Sequence, residues 1–331
     1  MRAALAFLFV ATAWPAAAGA QSADAQDWTL ACDNARTCRA AGYSAEGSAM
    51  PVSVLVARAA GAGSPAYVEL QLGTLDARAR PASVMLQIGG KPAGALKLDR
   101  DLHAVLPGAP ALALVKAVVA GADVAFAAGA STWRLSAVGA ADALQKMDDV
   151  QGRSGGASAL VHKGHGSDVD VASAMAVPRM DANRISPARL DGDDTLAVRV
   201  LASIQSRADC SLLDDGSAQS RARLWHLDAN RLLVTQPCSA AEGGNGWWVA
   251  NQRPPYDARP ITTAGTFDGQ STIASRVVTG SRGDCSHSEN WTWNGFRFEQ
   301  TYAATGGLCR GVKAGGAWEL PTQVTDVIPE R

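Results

Sequence analysis

The sequence predicts a mainly β protein of the α+β type, with two domains and with its helices in the first. Short apolar runs bounded by glycine or proline recur through most of the chain, as they do in antiparallel sheets. Two stretches, near residues 110–121 and 140–151, instead repeat apolar residues at helical spacing. In the last third of the chain, two similar tryptophan-containing segments have the pattern of strand, tight turn and strand.

The first domain is expected over residues 21–151 as a sandwich-like β unit with two helices. Its predicted strands cover residues 28–32, 52–57, 67–72, 84–88, 124–126 and 133–138. Gly121 and Gly152 follow the two helical patterns, at the position where glycine commonly ends a helix. Residues 152–194 lose this periodicity and are rich in Gly, Ser, Pro and Asp, which indicates a linker partly packed against both domains. An antiparallel β domain is expected over residues 195–331.

Residues 1–20 have the organisation of an export signal. Arg2 precedes an uncharged apolar run that is too short to span a bilayer, and the small residues at 18–20 fit a cleavage site. We therefore expect Gln21 to begin the mature chain. The expected location is the periplasm, with secretion beyond the outer membrane as the alternative.

Charge narrows the range of partners. The chain has 30 Lys and Arg against 31 Asp and Glu, a formal net charge of −1, and no run of basic residues. We therefore expect neither nucleic acid nor a charged membrane surface as a partner, and no later segment predicts a membrane span. No motif indicates a cofactor.

Six cysteines in an exported chain indicate disulfides. Their order alone allows several pairings, but an internal similarity favours one. Asp-Cys-Ser at 209–211 and at 284–286 is followed by an eight-residue hairpin block, at 225–232 and 291–298, and then by a further cysteine. If each unit closes its own bridge, the pairs are Cys210–Cys238 and Cys285–Cys309, with Cys32–Cys38 as a local clip.

Several segments carry a resemblance to a known family. They are the Trp-x-x-x-Cys opening at 28–32, the helical segment at 114–117, the strand at 133–136, and Lys-Met-Asp-Asp-Val-Gln-Gly-Arg at 146–153, which is the most specific. Over nearly its whole mature length the chain resembles the proteobacterial family called domain of unknown function 1176. Its first half also resembles invasion-associated locus B proteins, which are exported and linked to host-cell invasion. The resemblance implies an exported protein and carries over no catalytic residue.

Two patterns in the predicted linker could carry chemistry. Gly-x-Ser-x-Gly at 152–156 fits a serine hydrolase elbow around Ser154, but that elbow needs a preceding strand, and here a helix precedes. His162, His165 and Asp168 could bind zinc or copper, because imidazole and carboxylate suit those ions. The alternative for His162, His165 and Asp168 is that they belong to a polar, solvated linker.

Asp148, Asp149 and Arg153 lie in the most specific segment and are candidate binding residues. Two neighbouring carboxylates can serve as acid and base, but adjacent helical residues point about 100° apart, so these two should not share one site. Capping, or hydrogen bonding to Arg153, is the alternative.

The tryptophans supply the best candidate for a surface site. Trp247 and Trp248 are neighbours in a predicted strand, so one of them should face outward, and Trp291 lies in the second hairpin. An outward tryptophan can stack on a sugar or anchor a protein partner, whereas the alternative is packing in the core. We therefore expect a non-enzymatic envelope protein that binds a protein or a cell-wall glycan. The alternatives are an assembly factor, and a periplasmic hydrolase or metal-dependent enzyme that uses residues 152–170.

Overall fold

The computed structural model describes residues 21–73, 80–186, 194–204, 210–239 and 244–330. The predicted export signal, residues 1–20, lies outside the described residues. Within them the chain is mainly β, as predicted, and the three larger sheets are antiparallel. No helix in these ranges is long and apolar enough to cross a bilayer.

Two sheets and two helices build the N-terminal half. The six-stranded sheet contains, in spatial order, β1 (Gln21–Ala25), β2 (Trp28–Cys32), β3 (Cys38–Tyr43), β4 (Val52–Arg58), β5 (Ala66–Leu72) and β8 (His103–Leu106). The four-stranded sheet contains, in spatial order, β10 (Ser131–Leu135), β9 (Val124–Ala128), β6 (Ser83–Ile88) and β7 (Lys91–Lys97). The helices are α1 (Gly108–Val119) and α2 (Ala140–Val150).

The core of this half lies between the two sheets and the helices. Alternate residues of β4, among them Val54 and Val56, point inward, as the period of two requires. They belong to the same core cluster as Phe126 of the four-stranded sheet and Met147 of α2, and all four side chains are fully buried. This is the sandwich-like arrangement with two helices that the sequence predicts.

The C-terminal half is built on one sheet of eight strands joined in sequence order. They are β12 (Arg223–His226), β13 (Arg231–Pro237), β14 (Asn245–Asn251), β15 (Arg259–Phe267), β16 (Thr272–Thr279), β17 (Cys285–Trp293), β18 (Phe298–Thr305) and β19 (Leu320–Val324). The short elements are α3 (Asp194–Ala202), α4 (Gly216–Gln219) and the parallel pair β11 (Arg179–Asp181) and β20 (Asp326–Ile328).

The two predicted hairpins are β12–β13 and β17–β18, and they touch each other. The Arg231 guanidinium lies 4.9 Å from the centre of the Trp293 ring and donates a hydrogen bond to the Phe296 carbonyl. The sheet must therefore curl. Disulfides join Cys32 to Cys38, Cys210 to Cys238, and Cys285 to Cys309, so every cysteine is bonded.

The loop after β18 and the first residue of β19 join the two halves. Leu320 packs on the outer face of the six-stranded sheet, and the Trp318 indole N–H donates to the Ser53 hydroxyl at 2.6 Å. Nearby, the Arg310 guanidinium lies 2.9 Å from the Asp27 carboxylate. Apolar and polar contacts therefore fix the C-terminal sheet against the N-terminal half.

The segment predicted as a linker contacts both halves. Arg153 is fully buried against the N-terminal half, and Ile185 belongs to the aromatic core of the C-terminal sheet. Residues 187–193 lie outside the described ranges. The predicted domain limits stay a prediction.

Candidate functional site

A groove of about 660 Å³ lies in the C-terminal sheet. Most of its walls are small or hydroxyl-bearing residues of β15, β16 and β17. Four larger polar side chains border it: Arg276, Asn290, Tyr302 and Glu319. Its volume lies in the range of pockets that hold a small ligand or a short stretch of polymer.

The groove opens where two strands separate. β16 pairs with β17 over eight residues but with β15 over only three, from Phe267–Ile273 to Gly265–Ser275. The register of β15 on β14 shifts on both sides of Trp247, and Pro260 lies in the same stretch. Bulges bend a strand and increase its twist, so the first half of β15 turns away from β16.

Strand alternation places the polar groups on one face. Ala274, Asn290 and Tyr302 are direct neighbours across β16, β17 and β18, and Arg276 and Ser288 form the next row. Side chains in adjacent rows of one face lie within reach of one another. The groove floor is therefore a continuous patch of hydrogen-bonding groups.

Arg276 carries the positive charge of this floor. Its guanidinium donates to the Ser288 hydroxyl at 3.2 Å and to the Gly315 carbonyl at 2.9 Å. Among the described residues, no carboxylate lies within ion-pair distance of it, and the side chain is exposed. An oriented guanidinium whose partners are neutral can donate hydrogen bonds to a carboxylate of a ligand.

Tyr302 and Glu319 form a polar pair at the other end of the patch. The tyrosine hydroxyl donates to the Glu319 carboxylate at 2.7 Å. Burial raises the pKa of Tyr302 well above its ordinary value, and the hydrogen bond to Glu319 and the negative charge of Glu319 raise it further. The positive charges of Arg39 and Arg276 oppose this shift. Tyr302 therefore keeps its proton, and because Arg39 belongs to β3, the N-terminal half comes near this end of the groove.

Two of the three tryptophans predicted for surface binding lie in the core, and the candidacy of Trp291 stays a prediction. Trp247 and Trp248 are both buried, and Trp291 is half-buried, so the expectation of an outward tryptophan in the 247–248 pair is wrong. The two side chains do point to opposite faces, but each face is covered. Trp248 packs in the cluster that includes α3, and Trp247 packs against Trp225 and Phe267 inside the curled sheet.

Asp148 and Arg153 belong to a buried polar cluster. The Asp148 carboxylate accepts the backbone N–H groups of Leu160 and Val161 at 2.7 and 3.1 Å and lies 3.9 Å from Arg58. Burial raises the pKa of Asp148, and these amides and Arg58 oppose that shift. Burial also lowers the pKa of Arg58 and of Arg153.

Arg153 fixes the next segment through neutral partners. Its guanidinium donates to the Gln151 side chain, the Ser158 hydroxyl and the Gly61 carbonyl, the last at 2.6 Å. The side chain is fully buried, as is Asp148. The arrangement holds the chain after α2 against the N-terminal sheet and is closed to a ligand.

Asp149, the neighbouring carboxylate, points to the surface. It lies 2.5 Å from the Ser154 hydroxyl, and Gln145 donates to it at 2.8 Å. Ser154 therefore bonds to a carboxylate rather than to an imidazole, and α2 precedes it where the hydrolase elbow needs a strand. Asp148 and Asp149 do not share a site, as the helical geometry predicts.

The predicted metal ligands are not brought together. His162 and His165 are exposed, whereas Asp168 is half-buried and lies near Arg153. Within the described ranges, the one cluster of three such residues is Asp284 with Cys285 and Cys309, and a disulfide joins its two sulfurs.

The groove residues were not singled out by the sequence. Arg276, Asn290, Tyr302 and Glu319 are isolated polar residues in strands or loops, and no spacing connects them. Pro260 inside an otherwise regular strand was the one available signal, because proline marks an edge or a bulge.

Comparison with known proteins gives a family and no individual relative. Neither a curated protein nor a solved structure matches the chain significantly. The resemblance of the first half to invasion-associated locus B proteins stays a prediction. A family match covers residues 22–325, nearly the whole chain. The chain therefore belongs to the family described as Protein of unknown function (DUF1176).

Proposed function

We propose that this is an exported, non-enzymatic protein of the cell envelope that binds a partner in the groove between β15 and β16. The observation that carries the proposal is the groove itself, a site of about 660 Å³ with fixed hydrogen-bonding groups on its floor. Arg276 and the Tyr302–Glu319 pair are each oriented by hydrogen bonds within the protein. Polar groups held in this way orient a ligand without losing side-chain freedom on binding.

Export is supported by the sequence of residues 1–20 and by the three disulfides. The segment has the charge, apolar run and cleavage site of a signal peptide. Bonded cysteines suit an oxidising compartment such as the periplasm. Two of the bridges join cysteines 28 and 24 residues apart, and such bridges stabilise a folded chain mainly by restricting its unfolded state.

The experiment is a capture assay with the mature chain, residues 21–331, against envelope extract and purified peptidoglycan. Ala274→Trp fills the groove, because Ala274 is exposed on its floor. Thr132→Trp is the matched control, since Thr132 is an exposed strand residue of the N-terminal half. We expect a partner that the wild type and T132W retain and that A274W loses. Equal capture by all three proteins, or none by any, contradicts the proposal.

A further inference from the structure

One wall of the groove is an unpaired strand edge. The ladder between β15 and β16 ends at Ser275, although β16 continues to Thr279 and remains paired with β17 to its end. Within the described ranges, the last four residues of β16 therefore have a strand partner on one side only. At about 3.3 Å per residue they offer an edge roughly 13 Å long.

The backbone groups that face the gap can be identified. On the β15 side, the Asp268 N–H donates to the Thr272 carbonyl at 3.0 Å. Backbone groups alternate between the two sides of an antiparallel strand, so every second residue from Thr272 points the same way. Arg276, which lines the groove, and Val278 beside it therefore direct their N–H and C=O groups toward the β15 side.

The opposite wall does not complete the ladder. Ala264 is the residue that would pair with Arg276 if the register from Gly265–Ser275 continued. Its N–H donates instead to the Thr262 hydroxyl at 3.3 Å. The bend in β15 therefore leaves the β16 edge open, and no strand of the described residues pairs with it there.

We propose that the partner is an acidic peptide segment in extended conformation, which binds as an added strand along residues 276–279. This inference rests on the proposed function and names its ligand class. The peptide backbone would pair with Arg276 and Val278, since an unpaired edge offers main-chain hydrogen bonds to an extended chain. A carboxylate of the peptide would bind the Arg276 guanidinium, which has only neutral partners among the described residues.

The charges that line the groove favour an acidic peptide. Arg276 and Glu319 are the two charged residues among those that line the groove. Glu319 already accepts the Tyr302 hydroxyl, whereas Arg276 is exposed above the strand edge. A carboxylate close to the added strand therefore gains a charge-assisted bond, and an ammonium group in its place meets the like charge of Arg276.

The probes are blocked seven-residue peptides of alternating threonine and valine with a central glutamate, glutamine or lysine. We expect the glutamate peptide to bind the mature chain about tenfold more tightly than the lysine peptide. Bound peptide should slow amide hydrogen exchange at Arg276 and Val278, measured by NMR on the wild-type protein. Arg276→Gln should bring the glutamate and glutamine peptides to equal affinity.

A matched pair of variants tests the backbone. Val278→Pro removes the N–H on the open, β15 side of β16 and leaves the ladder with β17 intact, whereas Val278→Ala keeps that N–H. We expect at least tenfold weaker peptide binding by V278P and nearly wild-type binding by V278A. Equal binding by the two variants, or a bound peptide that leaves both amides unprotected, overturns strand addition.

The capture assay separates this inference from the proposed function. A protein or glycan that A274W loses, and that binds wild type without protecting the Arg276 and Val278 amides, supports the groove and rejects the added strand. If no peptide binds and A274W loses no partner, both are rejected.

Discussion

Replacing Asp148 with alanine should destabilise the N-terminal half far more than the same change at its neighbour Asp149. Asp148 is fully buried, and its loss leaves the amides of Leu160 and Val161 without their acceptor, at about 1–3 kcal/mol. It also leaves Arg58, 3.9 Å away, without that carboxylate. Removing one partner of a buried charged pair costs about 3–5 kcal/mol in all, and we expect a value near 4 kcal/mol.

Asp149→Ala is the control, because it changes the same residue type one position along the same helix. Its side chain bonds to Ser154 and Gln145 at the surface, so its loss should cost about 0.5 kcal/mol or less. The assay is urea unfolding without reductant, followed by circular dichroism and by tryptophan fluorescence. Coincidence of the two signals tests whether the transition is cooperative.

A free energy of unfolding for Asp148→Ala within about 1 kcal/mol of the wild type, or an equal loss in the two variants, would contradict this prediction. Either result would mean that the buried cluster does not hold residues 152–161 against the sheet. Asp148→Asn refines the measurement, because it removes the charge and keeps the volume. We expect it to fall between the wild type and Asp148→Ala.

Three further predictions concern the contact between the two halves and the groove. At Gly307, with φ +83°, a Cβ would lie 1.9 Å from the Tyr43 hydroxyl, so Gly307→Ala should destabilise the fold by more than about 2 kcal/mol. Gly269→Ala is the control, since Gly269 also has a positive φ but open space around it, and should cost about 1 kcal/mol in thermal unfolding. Burial raises the pKa of Tyr43 and Tyr302, so their contribution to stability is fully present below about pH 10 and is lost above it. Tyrosinate absorbance should show these two residues ionising only as the chain unfolds. Trp318→Phe keeps the ring contact and removes the indole N–H bond to the N-terminal sheet, and should cost about 1 kcal/mol in urea unfolding.

Local signals in the sequence predicted the local structure. Both hairpins carry a turn signal between apolar runs, and both helices have regular apolar spacing, so their positions could be predicted. β3 was not predicted, because Cys-Arg-Ala-Ala-Gly-Tyr has little β character. Its Gly42 is explained only by tertiary packing: a Cβ there would lie 2.3 Å from the Trp28 ring.

The groove could not be predicted, because it depends on contacts between strands. Its opening follows from the length of the β15–β16 ladder, which no pattern within either strand specifies. The burial of Trp247 and Trp248 has the same kind of cause. Alternation placed them on opposite faces, as expected, but whether a face is covered depends on what packs on it. Alternation within a strand predicts direction and not exposure.

The groove depends on the docking of the two halves, which gives a physical reason for a family match that spans both. The Gly315 carbonyl accepts both the Arg276 guanidinium, at 2.9 Å, and the Ser286 hydroxyl, at 2.7 Å. Three residues later, Trp318 bonds to the N-terminal sheet, and Glu319 borders the groove. The same short loop therefore orients Arg276, supplies Glu319 and attaches to the other half. Separating the halves would free that loop, so binding in the groove should require both halves of the chain.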